Sequence, residues 1–295
     1  MSLDPISESA ERGSISLATR RDPISGRLSG IPWWLVAIIF IAIWAGYTIY
    51  TRENFRDAFE FILIGISITI STTLYAYAIA IVIGLVAGLG RVSRNVFLRN
   101  ISRLYVELIR GVPILVLIFY IALVAVPDSL HLFNALGRWL TSIGLGFLGD
   151  PISRLDNQAI SLNFRAIIAL SVTYGAFLAE IFRAGIQSIG RGQMEAARSL
   201  GMSYGQAMRH VILPQAIRNV LPALGNDFVA MVKDSSLVSV LAVRDITQVA
   251  RLYAGRTFRF REAYTTLAVL YLLMTLVLSF FVQLLERRLH GSSRK

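Results

Sequence analysis

Hydrophobic and polar residues fall along this chain in long blocks, far longer than the repeat of a strand or of a half-buried helix. Residues 31–50 carry no charge, place Trp33, Trp34, Trp44, Tyr47 and Tyr50 near their ends, and suffice for one bilayer crossing. A short charged link at 51–60 follows. Residues 61–90 are then uncharged, about 45 Å of helix at 1.5 Å per residue, which predicts a helix that tilts or begins outside the bilayer core. A basic link with Arg91, Arg94, Arg99 and Arg103 leads to a third run, 104–126, which Pro127 is expected to close. Residues 128–163 mix Gly, Pro and Asp with apolar positions and predict a long external connection, in which 130–140 can lie in the membrane interface. Further spans are predicted at 164–189, 221–243 and 263–285, with a link at 244–262. The pattern therefore predicts an all-α polytopic membrane protein with about six transmembrane helices. Residues 1–30, rich in Ser, Arg, Pro and Gly, read as a disordered tail, and 286–295 as a basic end.

Composition agrees with this picture. Of the 295 residues 55% are apolar and 16% charged, and the mean hydropathy is +0.61. The net charge of +11 would suit nucleic acid, but the basic residues flank apolar runs, so topology and anionic lipid account for them and nucleic acid is not an expected partner. The absence of cysteine excludes disulfides, iron–sulfur clusters and thiol catalysis, and His131, His210 and His290 are too scattered for a metal site. If basic links are cytoplasmic, the N-terminus, 91–103, 190–220 and the C-terminus share that side. The misfit is 244–262, where Arg244, Arg251, Arg256, Arg259 and Arg261 face only Asp245 and Glu262 in a link that must be external.

One polar island stands between two spans, QMEAARSLGMSYGQAMRHVILP at 193–214. Glu195, Ala196, Ala197, Arg198, Ser199 and Leu200 favour a helix, and Gly201 stands where a left-handed cap would end it. Ser203 and Gln206 have capping-box spacing, and Ala207, Met208, Val211 and Ile212 form an apolar stripe before Leu213 and Pro214. Two short helices joined by one glycine are predicted, a unit that by itself could be an exposed hairpin of any protein.

Lys233 and Asp234 interrupt the fifth span near its middle, where each charge costs on the order of 2.5–3.5 kcal/mol. Adjacent helical residues point about 100° apart, so the two cannot neutralise each other on one face. Ser235 and Ser236 can bond freed backbone groups, so VKDSS reads as a local helix break of the kind that lines a midplane substrate site. Two readings stand: Lys233 meets a substrate carboxylate and Asp234 a substrate ammonium, or the pair binds backbone and neighbouring helices and locks the bundle. Tyr174 and Asn226 are isolated polar groups inside spans, more in keeping with helix–helix hydrogen bonds than with ligand contacts. Glu107 with Arg110, and Glu180 with Arg183, read as structural i,i+3 pairs. No phosphate-cradling Gly-rich loop ending in Lys-Ser/Thr occurs, so the chain is not expected to hydrolyse nucleotide itself, and no cofactor is called for.

The island resembles the EAA loop of membrane subunits of binding-protein-dependent ABC importers, in Glu195-Ala196-Ala197, Gly201 and the closing Val211-Ile212-Leu213-Pro214, with Val211 where the family usually has Ile. YVELIRGVPILV at 105–116, AEIFRAGIQSI at 179–189 and VKDSSLVSVL at 232–241 are similar to the polar amino acid permeases. The resemblance covers 61–285 and leaves 31–50 as an added N-terminal helix. It implies a permease domain over 61–285 with a cytoplasmic coupling loop at 190–218, and both termini cytoplasmic in an inner membrane. It implies a dimer with the same chain or a sister permease, two ATPase subunits that bind the ATP, and a soluble or lipid-anchored amino acid binding protein outside. Glu195, Ala196, Ala197, Arg198, Gly201, Leu213 and Pro214 would then couple to the ATPase, and Lys233, Asp234, Ser235, Ser236, Asn226 and Tyr174 are the candidate substrate residues. The alternatives are a permease for another small solute, an intramembrane enzyme and a channel.

Overall fold

Backbone inside a bilayer has to satisfy its N–H and C=O groups internally, and the long apolar blocks fold accordingly as helices. The computed structural model describes residues 33–291, and among them all regular structure is helical. The tail called at 1–30 lies outside the described residues. The chain divides into two units, Met1–Gly46 and Tyr47–Lys295. The described part of the first belongs to α1 (Trp33–Thr51), whose Val36, Ile39, Phe40, Ile43 and Trp44 are exposed, as a helix surrounded by lipid requires.

Among the described residues four helices of the second unit are long and apolar enough to cross a membrane: Glu53–Val92, Ile114–Ser142, Leu162–Gln187 and Phe260–Arg287. The span predicted at 221–243 is absent from that set because its helix carries Arg218, Asp227, Lys233 and Asp234. It is nevertheless built into the bundle.

The charged link predicted at 51–60 is instead an amphipathic helix, α2 (Glu53–Leu63), which buries Phe55, Ala58 and Ile62. It leads through Gly65 into α3 (Ile66–Val92). After a basic corner, Asn95 caps α4 (Val96–Arg110) by accepting hydrogen bonds from the N–H groups of Phe97 and Leu98. The third span does not run from 104 to 126. The chain breaks at Gly111 to Pro113, because Pro113 has no N–H to continue α4, and a new helix starts as α5 (Ile114–Tyr120).

Pro127 does not end that helix. A π turn at Ile121–Ala125 precedes it, and α6 (Val126–Ser142) continues directly. The widened turn gives the proline ring the room that an α-helical carbonyl would occupy. The freed Ala122 carbonyl accepts from the buried Arg165 guanidinium at 3.4 Å, and Asn157 and Ile160 carbonyls take its other donors. The connection predicted as irregular is thus largely helical: α6 turns at Gly144 into α7 (Gly146–Ser153), and the two pack through Gly137 and Gly149.

The centre of the bundle is the parallel pair α3 and α8 (Leu162–Gln187). Ala76, Ala80, Gly84 and Gly88 form a buried stripe of small residues at four-residue spacing on α3. A Cβ on Gly84 would lie 2.6 Å from Leu178 Cβ, and one on Gly88 2.8 Å from Phe182 Cβ. Such backbone approach replaces the hydrophobic drive that lipid cannot supply.

Beyond α8 come α9 (Arg191–Ser199), α10 (Tyr204–Ala207), a π turn at Met208–Ile212, and α11 (Leu213–Asp234). A 3-10 segment, Ser235–Leu241, leads to α12 (Ile246–Thr257) and α13 (Phe260–Gly291). The connection predicted at 244–262 is therefore also helical, and α12 packs on α2 and α13 through Ala250, Tyr253, Ala254, Ala263 and Ile62. The arginine misfit finds part of its answer here: Arg259 pairs with Asp57 of α2 at 3.2 Å, and Arg251 donates to the Ser239 carbonyl. Asp245, outside the spanning segments, caps α12 and is 1% exposed, and burial raises its carboxyl pKa to about 6.

Candidate coupling hairpin and helix break

Two features deserve construction from their residues, one at each end of α11. At the first, α9 closes in a Schellman arrangement: Met202 N–H donates to the Ala197 carbonyl at 3.2 Å and Gly201 N–H to that of Arg198 at 3.0 Å. The arrangement requires the left-handed region at Gly201, where φ is +83°. Ser203 then accepts from Gln206 N–H while the Gln206 side chain accepts from Ser203 N–H, completing the predicted capping box.

The structure corrects two parts of the sequence reading. Pro214 does not close a separate second helix, because the π turn at Met208–Ile212 again absorbs the proline and the short helix runs into the fifth span. The apolar stripe, which the resemblance would have docking on the ATPase together with Glu195 and Arg198, faces inward instead. Ala207 and Ile212 are buried, and Ile212 and Ala216 pack with Ile186 against Leu89, Val92, Ile189, Met194, Met208 and Val211. Ala197 is buried, Leu213 partly buried and Pro214 exposed. What faces outward is Glu195, Ala196, Arg198 and Leu200, the last 81% exposed. The hairpin is held from behind, with Arg94 stacked 4.6 Å over the Tyr204 ring and Asn219 donating to Ser188.

At its other end α11 stops at Asp234, and the chain tightens into 3-10 turns that finish at Ala242 in the left-handed region. The predicted break at VKDSS is therefore present. Ser235, 1% exposed, donates to the Val232 carbonyl at 2.7 Å, which offsets the loss of helical bonding there. Tyr174 of α8 donates to Asp234 Oδ2 at 2.7 Å, so two of the six predicted residues are joined directly. Lys233 is exposed and has no hydrogen bond or ion pair among the described residues. Ser236 is half-buried beside it. Asn226 does not join them: it is exposed two turns earlier and its amide reaches Glu286 of α13 at 3.5 Å.

Asp227 was missed. It stands seven residues before Asp234, hence on the same helix face, and close enough to act electrostatically on Tyr77, Tyr174 and Asp234. Tyr77 donates to the Leu224 carbonyl, and its ring lies 5.0 Å from that of Phe228, tilted by 57°. The i,i+7 spacing of the two carboxylates was the signal available in the sequence. The arrangement can hold a cationic group against two carboxylates and a phenol, with one free ammonium, Lys233, on the adjoining face.

Between these features lies an ion-pair network. Glu180 does pair with Arg183, as expected, but it also receives Arg91 Nη1 at 2.5 Å. Glu107 pairs not with Arg110 but with Arg91 at 3.9 Å and Arg103 at 4.0 Å, while Arg110 lies 6.0 Å over the Phe177 ring. Arg91 thus ties α3, α4 and α8 together at the hairpin end.

Comparison with known proteins places this geometry among relatives. Residues 80–291 match a family described as "Binding-protein-dependent transport system inner membrane component". The chain is 37% identical over 239 residues to the "Probable glutamine ABC transporter permease protein GlnM" of Bacillus subtilis, covering 80% of this chain and 96% of that one. It is 33% identical over 232 residues to the glutamine transport system permease protein GlnP of Escherichia coli K12, covering 79% and 94%. Among solved structures, an amino acid ABC transporter aligns with a TM-score of 0.62 at 36% identity, covering 78% of this chain and 94% of that one. The MetNI methionine ABC transporter aligns with a TM-score of 0.60 at 20% identity, covering 78% and 96%, a likeness of fold.

Proposed function

This chain belongs to the family of binding-protein-dependent transport system inner membrane components, and from that premise we propose how its two features divide the work of an amino acid importer. The chain is the membrane-spanning permease subunit. Its relatives include glutamine and arginine permeases, which supports a polar or charged amino acid as the transported solute. ATP hydrolysis belongs to a separate ATPase pair on the cytoplasmic side, and a binding protein delivers the amino acid from outside. A second permease, the same chain or a sister, completes the pathway, and both termini lie in the cytoplasm.

One observation carries the division of roles: the outward face Glu195, Ala196, Arg198 and Leu200 is joined by the Gly201 cap directly to the helical path that runs from Tyr204 through α11 to the broken end at Asp234. The outward face docks on the ATPase, and Gly201 fixes its angle. At the break, Asp234, oriented by Tyr174 and joined by Asp227, meets the ammonium of the amino acid. Lys233 meets the carboxylate. Ser235 supports the break and Ser236 borders it.

Reconstitution with the ATPase and binding protein tests this. Lys233→Met and Asp234→Asn should each lower uptake of every amino acid carried, without changing their order, because both charges meet groups that all amino acids share. Subunit abundance and binding-protein-stimulated ATPase activity should persist. If uptake, stimulation and abundance fall in parallel, the pair locks the bundle and the site reading fails.

A further inference from the structure

The hairpin of α6 and α7, at the opposite end of α8 from the coupling hairpin, has its polarity inverted. Its inner face is polar and small: Asn134 donates to the Leu155 carbonyl at 2.9 Å, Thr141 to Asp150 at 2.9 Å, and Gly137 packs on Gly149 and Ser153. Small residues four apart on both helices, Gly137 with Thr141 and Gly149 with Ser153, bring the backbones together as they do between helices in lipid. The face turned away from this contact is Leu132, Leu136, Trp139 and Ile143, which are 72%, 44%, 57% and 51% exposed. At 100° per residue these four lie within about 60° of one another, opposite Asn134, Gly137 and Thr141.

In water such a hairpin would expose its largest apolar side chains while its inner contact is made by Asn134 and the buried Gly137 and Gly149. Nor is it a separate external element: α6 continues without interruption from the apolar helix that starts at Ile114, and the whole stretch to Ser142 is long and apolar enough to cross a membrane. Its length, about 43 Å at 1.5 Å per residue, exceeds the roughly 30 Å hydrocarbon core. The exposed apolar surface of Val116, Phe119, Leu123 and Val124 lies on the same helix, separated from the stripe by the exposed Asp128 and Ser129. Trp139 stands near the far end of that helix, where an aromatic side chain settles at headgroup depth.

We propose that the α6–α7 hairpin is embedded in the bilayer, its Leu132 and Leu136 covered by lipid acyl chains and its Trp139 and Ile143 settled at headgroup level. The occupant is lipid, not the external binding protein and not a second copy of this chain. The inference stands apart from the assignment of the coupling and substrate residues.

The chain has no cysteine, so single substitutions report one position each. Full-length Leu136→Cys and, as a water-facing control, Gln158→Cys are reconstituted in lipid nanodiscs, which expose both membrane faces. A charged maleimide should label position 136 at least ten-fold more slowly than 158, and a fluorophore at 136 should be quenched by lipids carrying a spin label on the acyl chain. Equal labelling rates would overturn the proposal. So would slow labelling without quenching by acyl-chain labels, the sign of a protein cover, or protection that appears only when binding protein is added. Should Leu136→Cys fail to reconstitute, unlabelled protein is compared with Trp139→Phe in brominated lipid. The quenched share of fluorescence should fall in the variant, and an unchanged share would refute embedding of Trp139.

Discussion

Replacing Gly201 by valine is the sharpest probe of the coupling hairpin. A Cβ at this position meets nothing within 4 Å, so the substitution introduces no clash and acts through backbone conformation alone. The residue sits at φ +83°, where an L side chain costs about 1–2 kcal/mol and a β-branched one the upper end of that range. If the backbone relaxes, the two capping hydrogen bonds from Gly201 and Met202 are lost, at about 1 kcal/mol each. By either route the cost is about 2 kcal/mol, which reduces the population of the capped hairpin relative to uncapped forms by about thirty-fold. The burden falls on the hairpin and not on the spans, so Gly201→Val should insert at normal abundance, lose binding-protein-stimulated ATPase activity and lose uptake. Gly201→Asn, which tolerates the left-handed region, should retain both within a few-fold. Full transport by Gly201→Val, or equal damage from both substitutions, would refute the reasoning.

Three further outcomes are expected. Tyr174→Phe removes the 2.7 Å donor to Asp234, a hydrogen bond to a charged acceptor worth about 1.5–3 kcal/mol, and should lower amino acid uptake about ten-fold or more while ATPase stimulation persists. Gly84→Ala forces a Cβ to 2.6 Å from Leu178 Cβ, an overpacking that costs about 1–3 kcal/mol, and should lower the yield of monodisperse protein on size exclusion, whereas Gly46→Ala, in open space, should not. Burial raises the Asp245 carboxyl from 3.8 to about 6, so the folded state holds a proton that the unfolded state releases; this contribution is fully present below about pH 4 and is lost, by up to about 3 kcal/mol, as pH rises through about 6. Asp245→Asn keeps an oxygen to cap Gln248 N–H and should lose that part of the fall in unfolding temperature between about pH 4 and 7.

Local signals in the sequence were reliable wherever a few adjacent residues decide the outcome. Gly201, Ser203 and Gln206 fix a cap and a capping box by themselves, and VKDSS, with its adjacent charges and serines, marks a break without reference to any neighbour. Prolines were misleading for a definite reason: Pro127 and Pro214 each follow a π turn by two residues, and nothing local announces that the turn upstream will widen. The helices in the connections at 51–60, 128–163 and 244–262 were legible in principle. Phe55, Ala58 and Ile62 recur at three and four residues, but the charges between them drew attention to solvent. Pairings between spans were not legible. That Arg91 reaches Glu180 and Glu107, or that Tyr174 reaches Asp234, depends on how α3, α4 and α8 align, which the small residues from Ala76 to Gly88 determine only once packed.

The placement of the break relative to the hairpin links the two functions mechanically. From Tyr204 the helix runs through one π turn to Asp234, about 46 Å at 1.5 Å per residue. Both of its ends bear on the α3–α8 pair. The first is seated with the coupling hairpin on Ile186, Leu89 and Val92, and the second is held to α8 by the Tyr174–Asp234 hydrogen bond. The α8 helix is itself fixed to α3 by the approach at Gly84 and Gly88 and by Arg91–Glu180. A hydrogen bond of 2.7 Å ceases to be one by about 3.6 Å. A shift of α11 along α8 by only about 1 Å therefore suffices to release Asp234 from Tyr174. The π turn at Met208–Ile212 and the proline at Pro222 both interrupt regular helical bonding on that path, so the hairpin can tilt there without breaking the rod. Under the proposed division of roles, α11 is then the element through which movement at Glu195 to Leu200 would reach Asp227 and Asp234.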